Sequence, residues 1–139
     1  MKKIMTQEEK ELSLIDLSAR LPYEVYVKDI INRTKICKVY EINPSYFDCI
    51  GLVPMSDSYH YQEYSIDIAS IRQYLRSMSS MTEEEKEEYH KLCDSYYGIY
   101  FDTVDSIDWL TKKKFDYRGL IPMGLAIEVT EENNPYKQQ

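Results

Sequence analysis

The sequence predicts an α+β fold: an N-terminal helix, a small antiparallel sheet, two helices in the C-terminal half and a closing strand. Three observations predict it, namely helical spacing of apolar residues near the N-terminus, alternating polarity in the next segments, and a return to helical spacing after residue 82. A chain of 139 residues is long enough to bury a core of its own. We therefore expect one domain over residues 1–139, with a sheet that forms either a meander or a partly closed barrel.

The first predicted element is a helix over Gln7–Arg20. Thr6 and Glu9 have the spacing of a capping box, in which each side chain accepts a hydrogen bond from the other residue's backbone N–H. Apolar residues recur at helical spacing at Leu14, Leu17 and Leu21. Pro22 ends the helix, because the residue before a proline is disfavoured in the helical region.

Segments of alternating polarity follow the helix. The three predicted strands cover residues 23–30, 35–42 and 46–53. Turn residues join them at 32–34 and 43–45. Gly51 predicts a bulge or tight bend in the third strand.

The next part of the chain has the weakest pattern. Residues 54–63 are predicted as irregular structure, and Ile66 and Ile68 as members of a further short strand. Residues 70–75 are interpreted as a single helical turn. The sheet is then expected to have three to five strands.

A well-capped helix is predicted to begin after Thr82, with Glu85 as its capping-box partner. The first turn contains three acidic residues, which interact favourably with the positive end of the helix dipole: Glu83, Glu84 and Glu85. Apolar residues at helical spacing extend the helix through residues 89–97. Gly98 is expected to be its left-handed C-cap.

A second helix is predicted with Asp105 as its cap and the lysines at residues 112–114 at its negative end. Two glycines and a proline exclude a long helix over residues 115–124. Alternation over residues 125–129 predicts the closing strand, at the edge or end of the sheet. The polar tail, residues 130–139, is expected to fray.

The composition excludes several classes of protein. A net charge of −7 argues against nucleic acid or an anionic membrane as the main partner. Fourteen tyrosines, against one tryptophan and three phenylalanines, fit half-buried sheet faces and protein contact surfaces. Three widely spaced cysteines predict thiols in a reducing compartment. No apolar run has a membrane span's length of about 20 residues, and no signal peptide is evident, so we predict a cytoplasmic protein with no membrane partner.

One cluster combines basic and aromatic side chains and is our candidate binding patch: Trp109, Lys112, Lys113, Lys114, Tyr117 and Arg118. Such residues neutralise phosphates and stack on bases. The same residues fit a simpler interpretation, in which the lysines stabilise a helix C-terminus while Trp109 and Phe115 pack into the core. The sequence leaves both interpretations open.

No motif carries a reaction mechanism. The four glycines form no phosphate-binding loop. His90 and Cys93 are three residues apart on one predicted helix, but a zinc site needs a further pair of ligands and a nucleophile needs a base with an orienting group. We therefore predict a non-enzymatic protein with no catalytic residue, no cofactor and no metal.

Four segments carry a resemblance that touches most of the chain: SARLPY at residues 18–23, IRQYLRSMSSMTEEE at 71–85, DWL at 108–110 and FDYRGLI at 115–121. They are similar to small uncharacterised proteins from prophage and mobile-element regions of gut bacteria. No residue role carries over, because those proteins have no established activity. The resemblance implies an accessory protein of a mobile element.

Two functions follow as expectations. The first is a protein–protein interaction module, favoured by the acidic charge, the tyrosine excess and the lack of a catalytic motif. An exposed patch of several tyrosines or methionines would support it, and burial of all the tyrosines would count against it. The second is a small nucleic-acid-binding protein that uses residues 112–114 and Arg118, together with Arg72 and Arg76. It requires these cations to lie on one face.

Overall fold

The computed structural model describes residues 4–21, 23–31, 36–54 and 61–137. The fold is α+β, which confirms the predicted class. The helices are α1 Gln7–Arg20, α2 Glu83–Leu92 and α3 Val104–Lys112. The strands are β1 Tyr26–Asp29, β2 Ile36–Asn43, β3 Asp48–Pro54, β4 Tyr61–Asp67, β5 Ile71–Leu75, β6 Asp94–Tyr96, β7 Ile99–Phe101 and β8 Ala126–Glu128. Single 3₁₀ turns lie at Pro44–Tyr46, Ile68–Ser70 and Met78–Ser80.

Six strands form one open sheet in the order β4-β3-β2-β1-β5-β8. Strands β1 to β4 make an antiparallel meander, and β5 pairs antiparallel with β1. The closing strand β8 runs parallel to β5 at the edge of the sheet. Of the two predicted sheet forms, the meander is confirmed and the barrel is wrong. β6 and β7 form a separate two-stranded hairpin.

Helix α1 has the predicted bounds and the predicted cap. The Thr6 hydroxyl accepts from the Glu9 N–H at 3.2 Å, and the Glu9 carboxylate accepts from the Thr6 N–H at 2.9 Å. The helix packs on the sheet through Leu17, in a core cluster whose other buried members are Val25, Val27, Cys37, Val39, Cys49, Ile66, Ile68 and Ile71. A second buried cluster joins Met5, Leu75, Leu120 and Leu125.

Gly51 lies opposite a β-bulge. The pairing of β2 with β3 shifts between Val39 and Glu41, so Tyr40 is the extra residue of the bulge. A Cβ on Gly51 would lie 2.9 Å from the Cys37 Cβ, closer than packed carbon atoms approach. The predicted irregularity lies beside Gly51, but its placement in the third strand is wrong, because the extra residue belongs to β2.

Residues 71–75 form a strand, so the helical turn predicted for residues 70–75 is wrong. All five residues of β5 are buried, and β5 lies between β1 and β8. Its polar side chains have internal partners: the Gln73 amide donates to Asp16 at 2.9 Å, and Arg72 donates to the Gly124 carbonyl oxygen at 2.9 Å. A strand covered on both faces shows no alternation of polarity, which is why the pattern was misinterpreted.

The helical extension predicted through residues 89–97 is also wrong. Helix α2 ends at Leu92, and Tyr97 and Gly98 form the turn between β6 and β7. Their φ angles are 50° and 78°. Two consecutive positive φ angles are typical of a two-residue hairpin turn of type I′. Gly98 is therefore a turn residue rather than a helix C-cap.

The cap of α3 differs from the prediction as well. Thr103, not Asp105, is the N-cap, and its hydroxyl accepts from the Ser106 N–H at 3.0 Å. Ser106 returns the bond by accepting from the Thr103 N–H at 2.7 Å. A short serine takes the place that glutamate usually has in a capping box, and this concealed the motif.

The C-terminal segment is held on the sheet by Tyr136. Its hydroxyl accepts from the Tyr26 N–H at 3.2 Å and donates to the Tyr74 carbonyl oxygen at 3.0 Å. The Tyr136 ring also meets the Tyr26 ring edge-on, with centroids 5.3 Å apart. These contacts replace the fraying predicted for residues 130–139, of which 138 and 139 lie outside the described residues. The predicted turn at 32–34, and residues 55–60 of the irregular segment, also lie outside them.

No disulfide links the three cysteines. Cys37 and Cys49 are buried but are not opposite each other, because Cys37 pairs with Val27 and Cys49 with Ile42. Burial raises the pKa of the Cys49 thiol to about 12, so the thiol stays protonated at neutral pH. Over the described ranges, no helix combines the length and the apolar character needed to cross a membrane.

Candidate protein-binding surface

The structure divides the predicted basic and aromatic cluster between different environments. The Trp109 ring lies between the rings of Tyr89 and Phe115, at centroid distances of 5.9 and 5.8 Å. Phe115 is fully buried. Trp109 is therefore part of a packed aromatic column, as the simpler interpretation of the cluster expects. Lys112 and Lys113 are exposed at the end of α3.

The other members of the cluster have internal partners. The Lys114 ammonium donates to the Glu24 carbonyl oxygen, and burial lowers its pKa. Arg118 donates to the buried Asp16 carboxylate at 2.8 Å. The hydroxyl of Tyr117 lies 2.8 Å from the Thr111 hydroxyl. These side chains hold the 114–118 segment to α1, to the chain just before β1, and to α3.

The two further arginines of the nucleic-acid hypothesis are also engaged. Arg72 is buried. Arg76 donates to both oxygens of Glu85 at 2.8 Å, and its guanidinium lies 4.2 Å from the Phe115 ring centroid. This bidentate bond is the largest cause that lowers the pKa of Glu85, to about 2. Of the six cations proposed for phosphate contact, Lys112 and Lys113 are the exposed ones.

The hairpin of β6 and β7 presents a different surface, which sequence reasoning missed. We call it the aromatic hairpin surface; its large exposed residues are Tyr96, Tyr97, Ile99, Tyr100 and Phe101, with the adjoining Val104. Tyr97 is 88% exposed and Tyr96 65%. Contiguous exposed apolar residues of this kind mark interaction sites. In the sequence, the hairpin is indicated by aromatic residues on both sides of the pair Tyr97–Gly98.

The base of the hairpin is fixed to the helices. The His90 imidazole stacks on the Tyr100 ring with centroids 3.8 Å apart. The Tyr89 hydroxyl donates to the Asp102 carboxylate at 2.5 Å. Burial, followed by this bond, raises the pKa of Tyr89. The surface is thus anchored at its base while Tyr96 and Tyr97 at its tip face solvent.

The charge of the protein is concentrated around this surface. Residues 83–108 contain nine acidic and two basic residues, a net charge of −7, which is the net charge of the whole chain. The remaining residues contain fifteen acidic and fifteen basic side chains. Exposed carboxylates lie on α2, at both ends of the hairpin and on α3: Glu84, Glu87, Glu88, Asp94, Asp102 and Asp105. The aromatic hairpin surface therefore belongs to an acidic segment of the chain, which ends before the exposed Lys112 and Lys113.

Comparisons with protein-family models, with curated proteins and with solved structures found no match to this chain. Within the described residues, no group of three or more histidine, cysteine, aspartate or glutamate side chains is arranged to hold a metal ion.

Proposed function

We propose that this chain is a non-enzymatic protein-binding module that contacts its partner through the aromatic hairpin surface. The resemblance of four segments to prophage and mobile-element proteins supports an accessory role in a mobile element. The widely spaced thiols support a cytoplasmic location.

The main support for the proposal is the backbone conformation and exposure of Tyr97. It occupies the first turn position with a φ of 50°, where asparagine, aspartate or glycine is favoured. The left-handed region costs other residues about 1–2 kcal/mol. Burial does not offset this cost, because the side chain is 88% exposed. A bulky ring in a strained and solvated position is unfavourable for folding, and such local conflicts are typical of functional positions.

The partner that fits this surface is a protein with a basic and apolar contact face. Lysine and arginine bind the faces of aromatic rings, and they complement the acidic surroundings of the hairpin. Tyrosine is enriched among the residues that dominate binding energy in interfaces. Nucleic acid and anionic membranes carry the same sign of charge as residues 83–108, so electrostatic repulsion opposes their approach.

The test is affinity capture from nuclease-treated host lysate, with wild type and Tyr97→Asn compared over a series of salt concentrations. We expect wild type to retain a basic protein, with retention that weakens as salt rises. Tyr97→Asn should reduce retention by about tenfold or more, the effect of a residue worth roughly 1.4 kcal/mol. Asparagine suits the turn, so the thermal midpoint of the variant should be unchanged or raised.

Tyr46 provides the matched control. It is an exposed tyrosine, at 75%, and lies at the end of a 3₁₀ turn between β2 and β3, outside the hairpin. Tyr46→Ala should leave retention unchanged. Equal retention by wild type and Tyr97→Asn would contradict the proposal.

The second candidate function is nucleic-acid binding through Lys112 and Lys113, which are exposed together at the C-terminal end of α3. It predicts binding to labelled single-stranded DNA or RNA that weakens steeply between about 50 and 200 mM salt. Replacing both lysines by alanine should abolish that binding. If the chain is instead a protein-binding module, anisotropy of the labelled oligonucleotides should not change at either salt concentration.

A further inference from the structure

A groove of about 650 Å³ adjoins the aromatic hairpin surface. It lies between α1, α3 and residues 117–118, and its lining is continuous with β7, because Asp102 follows the last residue of that strand. Apolar side chains of Ala19, Val104 and Ile107 form one part of the lining. Charged groups of Asp102, Asp108 and Arg118 form another.

The two carboxylates of the groove have neutral partners. Asp102 accepts from the hydroxyls of Tyr89, at 2.5 Å, and Ser106, at 3.0 Å. Asp108 accepts from the Tyr23 hydroxyl at 2.7 Å. Among the described residues, no lysine or arginine forms a salt bridge with either carboxylate.

Among the described residues that line the groove, Arg118 is the cation, and it shares the Asp16 carboxylate with Arg20. Arg118 donates to Asp16 at 2.8 Å, and that carboxylate is fully buried. The guanidinium of Arg118 also lies 4.9 Å from the centroid of the Tyr117 ring. In the part of the chain that the structure describes, the groove therefore presents two exposed carboxylates beside an apolar wall, against one arginine that is held by Asp16.

We propose that this groove binds an arginine side chain of the partner protein. The inference rests on the proposed function, since it names the group that the partner inserts next to the aromatic hairpin surface. A guanidinium carries five donors in a plane, which match the two oxygens of a carboxylate such as that of Asp102 or Asp108. It is also more weakly hydrated than an ammonium, so it is better suited to the wall formed by Val104 and Ile107.

The position of the groove supports this assignment. Val104 lines the groove and is itself 87% exposed, so it belongs both to the groove and to the aromatic hairpin surface. A partner that covers Phe101 and Val104 therefore reaches Asp102 without further movement of the chain. Burial of the groove by the partner would strengthen the charge-assisted bonds, because water is then excluded from them.

The test uses the full chain and two capped amino acids, N-acetyl-arginine amide and N-acetyl-citrulline amide. Citrulline has the shape of arginine but no charge. In an NMR titration we expect arginine to cause saturable shifts of the Val104, Ile107 and Thr111 amides. Citrulline should bind at least about tenfold more weakly, because it forms no charge-assisted bonds. Equal shifts with the two probes would overturn the proposal.

Variants of the carboxylates make the test residue-specific. Asp108→Asn and Asp102→Asn keep an oxygen that accepts from the tyrosine hydroxyls but remove the charge, and each should weaken arginine binding about five- to tenfold. Asp105→Asn is the matched control: Asp105 is exposed on the same helix but does not line the groove. An unchanged affinity in both groove variants would overturn the arginine site.

The outcomes for the groove and for the hairpin are separable. Tyr97→Asn should reduce capture of the partner by about tenfold or more and leave the affinity for free arginine amide unchanged. If Tyr97→Asn lowers capture while arginine and citrulline bind alike, the arginine site fails and the proposed function stands. If capture is insensitive to Tyr97→Asn, the proposed function fails, whatever the titration shows.

Discussion

The imidazole of His90 lies flat on the ring of Tyr100, with centroids 3.8 Å apart and ring planes within 5° of parallel. His90 belongs to the last turn of α2 and Tyr100 to the middle of β7, so the stack fastens the hairpin to the helix. An isolated two-stranded hairpin is at best marginally stable in water. We infer that this stack keeps the aromatic hairpin surface in one position.

His90→Ala should loosen the hairpin while the core stays intact. Aromatic pairs contribute about 0.5–1.5 kcal/mol beyond burial, so amide hydrogen exchange over residues 94–101 should accelerate several-fold. The global free energy of unfolding should fall by about 1 kcal/mol or less, because the hairpin lies outside both core clusters. His90→Phe keeps a ring at this position and should retain slow exchange. Wild-type exchange in His90→Ala would mean that other contacts, such as the bond from Thr103 to the Leu92 carbonyl oxygen, hold the hairpin.

The ion pair of Arg76 and Glu85 should make stability depend on pH. Glu85→Gln keeps a capping-box side chain but removes the charge, and we expect it to lower the free energy of unfolding by about 1–3 kcal/mol at pH 7. The pKa of Glu85 is lowered from 4.5 to about 2 in the folded protein. The stabilisation is therefore complete above about pH 4.5 and is lost as the pH falls towards 2. Urea unfolding of wild type and variant at pH 7 and at about pH 3 measures the difference.

The control for this prediction is Glu84→Gln, an exposed glutamate in the same first turn of α2. Its effect should be a few tenths of a kcal/mol, mainly through the helix dipole. A Glu85→Gln difference that is the same at pH 3 and at pH 7 would show that the charge of Glu85 is not the cause.

Asp16 should be among the most sensitive positions for folding. Its buried carboxylate binds Arg20 and Arg118, each at 2.8 Å, and the Gln73 amide at 2.9 Å. Asp16→Asn leaves the buried guanidinium of Arg20 without a counter-charge, for which we expect a loss of about 3–5 kcal/mol. Chemical denaturation measures it, with Glu11→Gln on the exposed face of α1 as a control that should change stability by about 0.5 kcal/mol or less. A loss of less than about 1 kcal/mol in Asp16→Asn would contradict the assignment.

Tyr136→Phe tests the anchoring of the C-terminal segment. The variant keeps the ring but removes the hydroxyl that bonds the backbone of Tyr26 and of Tyr74, and we expect a loss of about 1–3 kcal/mol. Burial raises the pKa of Tyr136 above 10.0, so its contribution is present below pH 10 and is lost at higher pH. Tyr46→Phe, which changes an exposed hydroxyl, should have no effect. If Tyr136→Phe unfolds like wild type, the segment is not anchored by this hydroxyl.

The sequence predicted those elements whose local signals are unambiguous. The Thr6–Glu9 and Thr82–Glu85 boxes located the starts of α1 and α2, because both partners of each hydrogen bond lie within four residues. Alternating polarity located β1 and the edge strand β8, while β-branched residues and the intervening turns located β2 and β3, each to within a few residues. These elements form much of the sheet and its covering helix.

The wrong predictions concern elements whose structure depends on contacts between residues far apart in the sequence. The strand β5 contains Arg72 and Gln73, and its burial depends on Gly124 and Asp16, both distant in sequence. The tyrosines of the hairpin continue the helical spacing that begins at Tyr89. The spacing from Tyr89 to Tyr97 is therefore compatible with a longer helix as well as with the helix and hairpin that form. Because the sequence did not predict the hairpin, it did not predict the aromatic hairpin surface either. The aromatic side chains of residues 94–101 are exposed together only because this segment forms a hairpin rather than a helix.

The parallel pairing of β5 with β8 has a consequence for how this chain could diversify. The backbone leaves the sheet after Leu75 and rejoins it at the adjacent position with Ala126, and a bridge between Arg76 and Phe115 closes the excursion near its root. α2, α3 and the aromatic hairpin surface all lie within this excursion, and the register of β1 to β4 does not depend on its length. The pairings among β1 to β5 are all made by residues that precede the excursion, so a change of length at the Tyr97–Gly98 turn leaves them in place. The excursion is also part of the core, since its residues Leu120 and Leu125 pack with Leu75 and its residue Arg118 binds Asp16.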